Sequence, residues 1–289
     1  MAHPQIAVFA RLADGNAQTV RRIEGQKTML ARTMHSIYYD AVHDEIILPN
    51  AFSSAVLTFP GDADGEMAPI RVIQGPKTEL LFTDQLDVDP IHNEIFVPMR
   101  NDEGGVIHVF DRDANGDVAP IRKLGGANSG ISYGGLTVDP VHDLLLIAVE
   151  GGLGIFNRED SGNVKPMRII TGGPKSGTTG PRSAFMIPGT RNFVATTRRY
   201  GAAPKNRMAT WNFQTAADAQ SFIGVWSIDD DGDAPPQWTI AHDILKEVRN
   251  LALDPKNKTV MAADKGLNAI LTFHFPEAFE STESTSSTQ

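Results

Sequence analysis

Cysteine is absent from all 289 residues, which removes disulfides, thiolate nucleophiles and thiolate metal sites together. Aromatic side chains make up only 7% of the chain, and no apolar run approaches the roughly 18 residues that a membrane helix requires. Basic residues are outnumbered, 26 Lys and Arg against 35 Asp and Glu, for a formal charge of −9. That balance argues against a general nucleic-acid binder, because phosphate contacts need clustered Lys and Arg. The start, Met1 to Arg11, lacks a basic segment followed by a long apolar one. The expected location is cytoplasmic, or periplasmic or secreted had a leader been removed.

Hydrophobic residues reach 41%, enough for a sizeable core, while Gly 26 and Pro 18 imply frequent turns. Many short strands follow from that composition more naturally than long helices. The stretch Leu86 to Gly126 shows the pattern: apolar runs Leu86 to Val88, Glu94 to Pro98 and Val106 to Phe110, the turn Asp113 to Asp117, then Pro120-Ile121-Arg122. The same order recurs on both sides.

An aromatic closes the third run of each unit: Phe9, Phe59, Phe110, Phe156, Trp226 and Phe273, spaced 50, 51, 46, 70 and 47 residues apart. Turn glycines follow at Gly15, Gly65, Gly116, Gly162 and Gly232, and then arginines in register at Arg21, Arg71, Arg122 and Arg168. A second landmark keeps the same period. Asp40-Ala41-Val42-His43 is matched by Asp89-Pro90-Ile91-His92, by Asp139-Pro140-Val141-His142 and, more loosely, by Asp254-Pro255-Lys256-Asn257. Short β-rich runs bounded by Asp-Pro and Asn-Gly are hairpins, since Pro donates nothing to a ladder and Gly or Asn accepts positive φ.

Each unit therefore reads as four antiparallel strands, A to D. Such a unit buries both faces only by stacking against others, which predicts an all-β fold, a β-propeller of four-stranded antiparallel blades. Counting gives five A strands, five B, six C and five D, 21 in all. Five blades is the preferred number and six the alternative, because Phe9 and Phe273 claim one place. Residues 1–280 are expected to form a single domain, closed by strands near Ile6 and Val20 completing the blade begun at Leu251. The Ser/Thr-rich tail 281–289 is expected to be disordered. With its Asp-Pro-x-His-Asn-Glu and Asp-x-Asn-Gly signatures, the repeat resembles the NHL-type and lactonase-like bacterial propellers over nearly the whole chain.

The 70-residue interval contains an insertion, Arg198 to Gln220, between strands B and C of the fourth blade. It carries Arg198, Arg199, Tyr200, Lys205, Arg207, Trp211 and Phe213, a cationic and aromatic segment in an acidic protein. Long loops on a regular scaffold tend to carry function.

His43, His92 and His142 invite a metal reading, yet they occupy equivalent turns that symmetry spreads around a rim, so a turn-stabilising role is expected. The run Asp111 to Asp117 resembles the opening of a calcium loop but has Arg122 where an EF-hand needs its bidentate Glu. Propeller topology directs attention to the channel mouth instead. Aligned A strands place His35, Asp84, Gly134, Arg182 and Arg249 at one level, and Ser36, Gln85, Gly135, Ser183 and Asn250 one step deeper. From the B–C side come Asn50, Arg100, Glu150, Arg198 and Asp264. These residues differ from blade to blade, as a site requires.

Two readings follow. In the first, the mouth and the insertion bind a small polar or anionic ligand or a partner protein. Arg182, Arg249, Arg100, Asn250, Arg198 and Tyr200 would make the contacts, and no cofactor is called for. Asp84 or Glu150 could then serve as a general base, with His35 as acid or base. In the second, the resemblance to lactonase-like propellers implies a metal-assisted hydrolase whose divalent ion, such as Ca²⁺, would be held by Asn50, Glu150, Asn250 and Asp264.

Overall fold

A computed structural model describes residues 4–32, 35–83, 85–102, 104–178, 183–199, 220–240 and 244–280. The described residues contain 21 strands and no α-helix. They form two compact units, Met1–Gly125 and Gly126–Gln289.

In the first unit, β1 (Gln5–Val8) pairs with β2 (Arg21–Glu24). A four-stranded antiparallel sheet follows, made of β3 (Tyr38–Asp40), β4 (Glu45–Asn50), β5 (Ala55–Pro60) and β6 (Arg71–Ile73). The next sheet comprises β7 (Asp87–Asp89), β8 (Glu94–Asn101), β9 (Gly104–Asp111) and β10 (Arg122–Gly125). The second unit holds β11 (Ile131–Asp139), β12 (Leu144–Val149), β13 (Gly152–Asn157) and β14 (Arg168–Thr171). It continues with β15 (Ala184–Met186), β16 (Asn192–Arg199), β17 (Gln220–Ser227) and β18 (Trp238–Ile240). Its last sheet has three strands, β19 (Val248–Asp254), β20 (Thr259–Asp264) and β21 (Ala269–His274). These five sheets are β-propeller blades, the fold class read from the repeat.

The A–B turns show why the sequence repeats Asp-x-x-His. In each, one Asp oxygen accepts the backbone N–H groups two and three residues on, and the other oxygen meets the His Nδ1 at 2.7 Å: Asp40 with His43, Asp89 with His92, Asp139 with His142. Ionised carboxylates only accept, so Nδ1 carries the proton. The fourth copy confirms the assignment: Asn257 donates its amide to Asp254 at 2.6 Å, a bond only an N–H can make. The histidines are turn devices.

The C–D turns are docking devices. The Asx side chain of one sheet's turn accepts a backbone N–H from the preceding fourth strand, and the following glycine bridges the same strand. Asp64 and Gly65 hold Arg22, Asn115 and Gly116 hold Val72, and Asp231 and Gly232 hold Ile169. Asp117 likewise accepts Lys77 N–H at 2.6 Å. The calcium-like run Asp111 to Asp117 is thereby accounted for as interblade hydrogen bonding. Core clusters fill the space between successive sheets, with Ile47, Val56 and Ile73 against Val88, Ile95 and Val97 in the first unit. In the second, Leu146, Leu153 and Ile170 pack against Phe193, Phe222 and Trp226.

Candidate functional site

The first strand of the fifth sheet breaks its ladder at one place. Val248 pairs with Asp264 and Asn250 with Ala263, so Arg249 is the extra residue of a bulge. A bulge re-aims a side chain away from the regular alternation. Arg249 Nη2 lies 2.5 Å from Glu247 Oε1, while its Nε is buried with no hydrogen-bond partner. Asn250 turns its Oδ1 back onto the N–H of Leu251 at 2.9 Å.

Asp264 fixes the loop that leads into this bulge. It is 2% exposed, and its carboxylate accepts from Lys246 N–H at 2.7 Å and from Glu247 and Leu267 N–H at 3.1 Å. These are charge-assisted bonds to main chain, so Asp264 is a structural clamp on the residues preceding Arg249. Among the described residues no group of three or more His, Asp or Glu gathers as metal ligands.

The ladder of β16 and β17 runs eight pairs, ending with Arg198 opposite Ser221 and Arg199 opposite Gln220. It is the stem of the insertion. Tyr200 and residues 201–219 lie outside the described residues, as do Arg182 and Asp84. Glu150 sits exposed at the turn after β12, its N–H bonded to Gly130 O at 2.7 Å. In the first unit, His35 is exposed ahead of β3 and Arg100 is exposed near the end of β8.

Asn50 is fully buried; its Nδ2 donates to Met29 O at 2.6 Å and its Oδ1 has no partner. Register separates it from two residues with which the sequence grouped it. Each second strand starts opposite the turn Asp, as in Glu45↔Asp40, Glu94↔Asp89, Leu144↔Asp139 and Thr259↔Asp254. The sixth residues are then Asn50, Met99, Val149 and Asp264. Arg100 and Glu150 come one residue later, which puts them on the opposite side of the strand alternation.

Sequence reasoning passed over Glu247, the partner of Arg249. Glu247 precedes β19 and Arg249 stands in its bulge, so strand alternation in the sequence does not pair them. Sequence reasoning also passed over Phe52 and Phe82, exposed at 64% and 49% and packed edge to face with centroids 5.4 Å apart.

Sheets and turns together define a β-propeller with the architecture of the lactonase-like and NHL-type class. No family model matches the sequence, and no curated protein matches it. Solved structures do match in fold. Hydrazine synthase from Kuenenia stuttgartiensis aligns with a TM-score of 0.54 at 11% identity, over 81% of this chain and 56% of that one. A protein described as a 6-phosphogluconolactonase from Bacteroides uniformis aligns with a TM-score of 0.52 at 17% identity, over 88% of this chain and 69% of that one. At such identities the likeness is one of fold. No described helix is long and apolar enough to cross a membrane.

Proposed function

We propose that this chain is a β-propeller binding protein that takes a small anionic ligand, with Arg249 as its anchor. The observation that carries the reading is the bulged guanidinium with a buried, unpaired Nε. A buried donor without an acceptor is costly, on the order of 1–3 kcal/mol. A carboxylate or phosphate accepting from Nε and one Nη in the fork geometry of arginine would offset that cost. Arg182, directly ahead of the fourth sheet, and Arg198, on the insertion stem, are further cations for the same ligand. A partner protein would engage through the same residues by presenting a carboxylate.

Calorimetric titration with inorganic phosphate, sugar phosphates and di- and tricarboxylates tests the reading. At least one is expected to bind, with Arg249→Gln weakening it about tenfold or more and Arg249→Lys weakening it less severely. Binding unchanged in Arg249→Gln, or absent across the panel, would overturn it.

A second reading, metal-assisted lactone hydrolysis, is supported by the likeness in fold to the protein described as a 6-phosphogluconolactonase. It expects a bound divalent ion and activity abolished by Glu150→Ala. Protein that carries no ion after growth in Ca²⁺ and hydrolyses no lactone would remove it.

A further inference from the structure

Arg249 does not stand by itself in departing from the repeat. Two residues before the aligned mouth position the other four sheets carry Thr33, Phe82, Ser132 and Gly180 in sequence, and the fifth carries Glu247. A cation preceded at that spacing by an acid is therefore particular to this sheet. Main chain fixes the acid on both sides of its Cα: Glu247 N–H donates to Asp264 at 3.1 Å, and Glu247 O accepts from Lys265 N–H at 2.9 Å. The side chains of Arg249 and Glu247 are 25% and 19% exposed, so solvent reaches the pair without fully screening it.

The shape of a guanidinium decides what this pair accepts. Nε and Nη2 form one fork: in Arg191 they hold Asp229 at 2.8 and 2.7 Å, and in Arg168 they converge on Ile228 O. In Arg249 the Nη2 prong already lies on Glu247 Oε1, while Nε is the prong left unmatched. Arg71 leaves its Nε unmatched in the same way, but it stands in register with Arg21, Arg122 and Arg168 and belongs to the repeat.

An anion that completes the Arg249 fork must share Nη2 with the Glu247 carboxylate. Like charges brought that close in a partly buried place disfavour each other. A plain dicarboxylate or phosphate therefore satisfies Arg249 and is opposed by Glu247. An ammonium on the carbon next to the bound carboxylate removes the conflict. It donates to Glu247, whose carboxylate offers about four acceptor positions, and it balances the acid's charge.

We propose that the ligand is an α-amino acid, an assignment that rests on the anion reading of Arg249. Arg249 takes the α-carboxylate through Nε and Nη2, and Glu247 takes the α-ammonium. Aspartate is the diagnostic member of the class. Replacing its amino group by hydrogen gives succinate, a dicarboxylate of the kind that the anion reading already expects to bind.

Calorimetric titration of the full chain with L-aspartate, succinate and N-acetyl-L-aspartate is the test. L-Aspartate is expected to bind about tenfold or more tightly than succinate. N-Acetyl-L-aspartate, which keeps both carboxylates and loses the ammonium, should bind no tighter than succinate. Glu247→Gln keeps the size of the side chain and an acceptor for Arg249. It should weaken L-aspartate, strengthen succinate and bring the two within about twofold of each other. Should circular dichroism show that variant to be misfolded, the three ligands on the unaltered chain decide the question. Succinate binding as tightly as L-aspartate, with both weakened in Arg249→Gln, overturns the amino-acid assignment and leaves the anion reading in place. A preference for L-aspartate that survives Glu247→Gln overturns the assignment too. So does binding by none of the three; phosphate binding lost in Arg249→Gln would then leave the anion reading standing without it.

Discussion

The guanidinium of Arg112, just past β9, donates from Nη1 to the Glu45 carboxylate at the start of β4, 67 residues away, at 2.7 Å. Arg71 meets the same oxygen, and Asn93 accepts from Arg112 Nε at 3.0 Å. The side chains of Arg112 and Glu45 are only 7% and 11% exposed, so water screens the pair little. Removing Glu45 takes the shared carboxylate from both Arg71 and Arg112 and leaves Arg112 with Asp113 and Asn93. Glu45→Ala should therefore destabilise by about 3 kcal/mol, read from chemical denaturation, with Arg112→Met adding little once Glu45 is gone.

The A–B turns predict an asymmetry. His92→Asn should change stability by less than about 0.5 kcal/mol, because Asn257 already performs the histidine's task in the fifth sheet. Asp89→Ala removes the acceptor of two backbone N–H groups and the His92 ring, and should cost about 2 kcal/mol. Urea midpoints of both variants check this; equal losses would mean that the ring, not the carboxylate, holds the turn.

Gly224 exists because of Trp226. A Cβ at Gly224 would fall 2.3 Å from the indole ring, which lies back along the strand. Gly224→Ala is expected to destabilise by about 2–3 kcal/mol through overpacking, and Trp226→Phe in the same chain should recover part of it. Thermal denaturation of the three variants measures the recovery.

His108 gives the fold a pH dependence. It is buried on β9 with Nδ1 3.2 Å from Thr78 O, and burial pushes its pKa below the ordinary value. A depressed histidine binds fewer protons folded than unfolded, so its contribution is complete above the unfolded pKa of about 6.5 and is lost as pH falls below it. Stability should decline with a slope of up to about 1.4 kcal/mol per pH unit in that window, and His108→Leu should flatten it. Denaturation at pH 5, 6 and 7.5 checks the slope; an unchanged slope in His108→Leu would assign the loss to other groups.

Much of this architecture is local and hence legible. The Asp-x-x-His turns, the turn glycines and the aromatic before each C–D turn need only neighbours in sequence, and the 21 strands follow from them. The insertion was legible too, because a period of about 50 residues makes a 70-residue interval visible. The candidate site was legible only in part. Arg249 and Asp264 drew attention because they break the repeat; the structure adds that Arg249 stands in a bulge and that Asp264 accepts three main-chain amides.

By itself the sequence determined the repeat, its strand count and its turn chemistry, all set by contacts within a few residues. Tertiary structure decided the rest: that Asn50 shares its place with Met99 and not Arg100, that Arg249 stands in a bulge, and that Glu45 is bound from 67 residues away. Side-chain facing in a strand alternates with every residue, so one unpaired residue reverses it. Only the completed ladder fixes which residue that is.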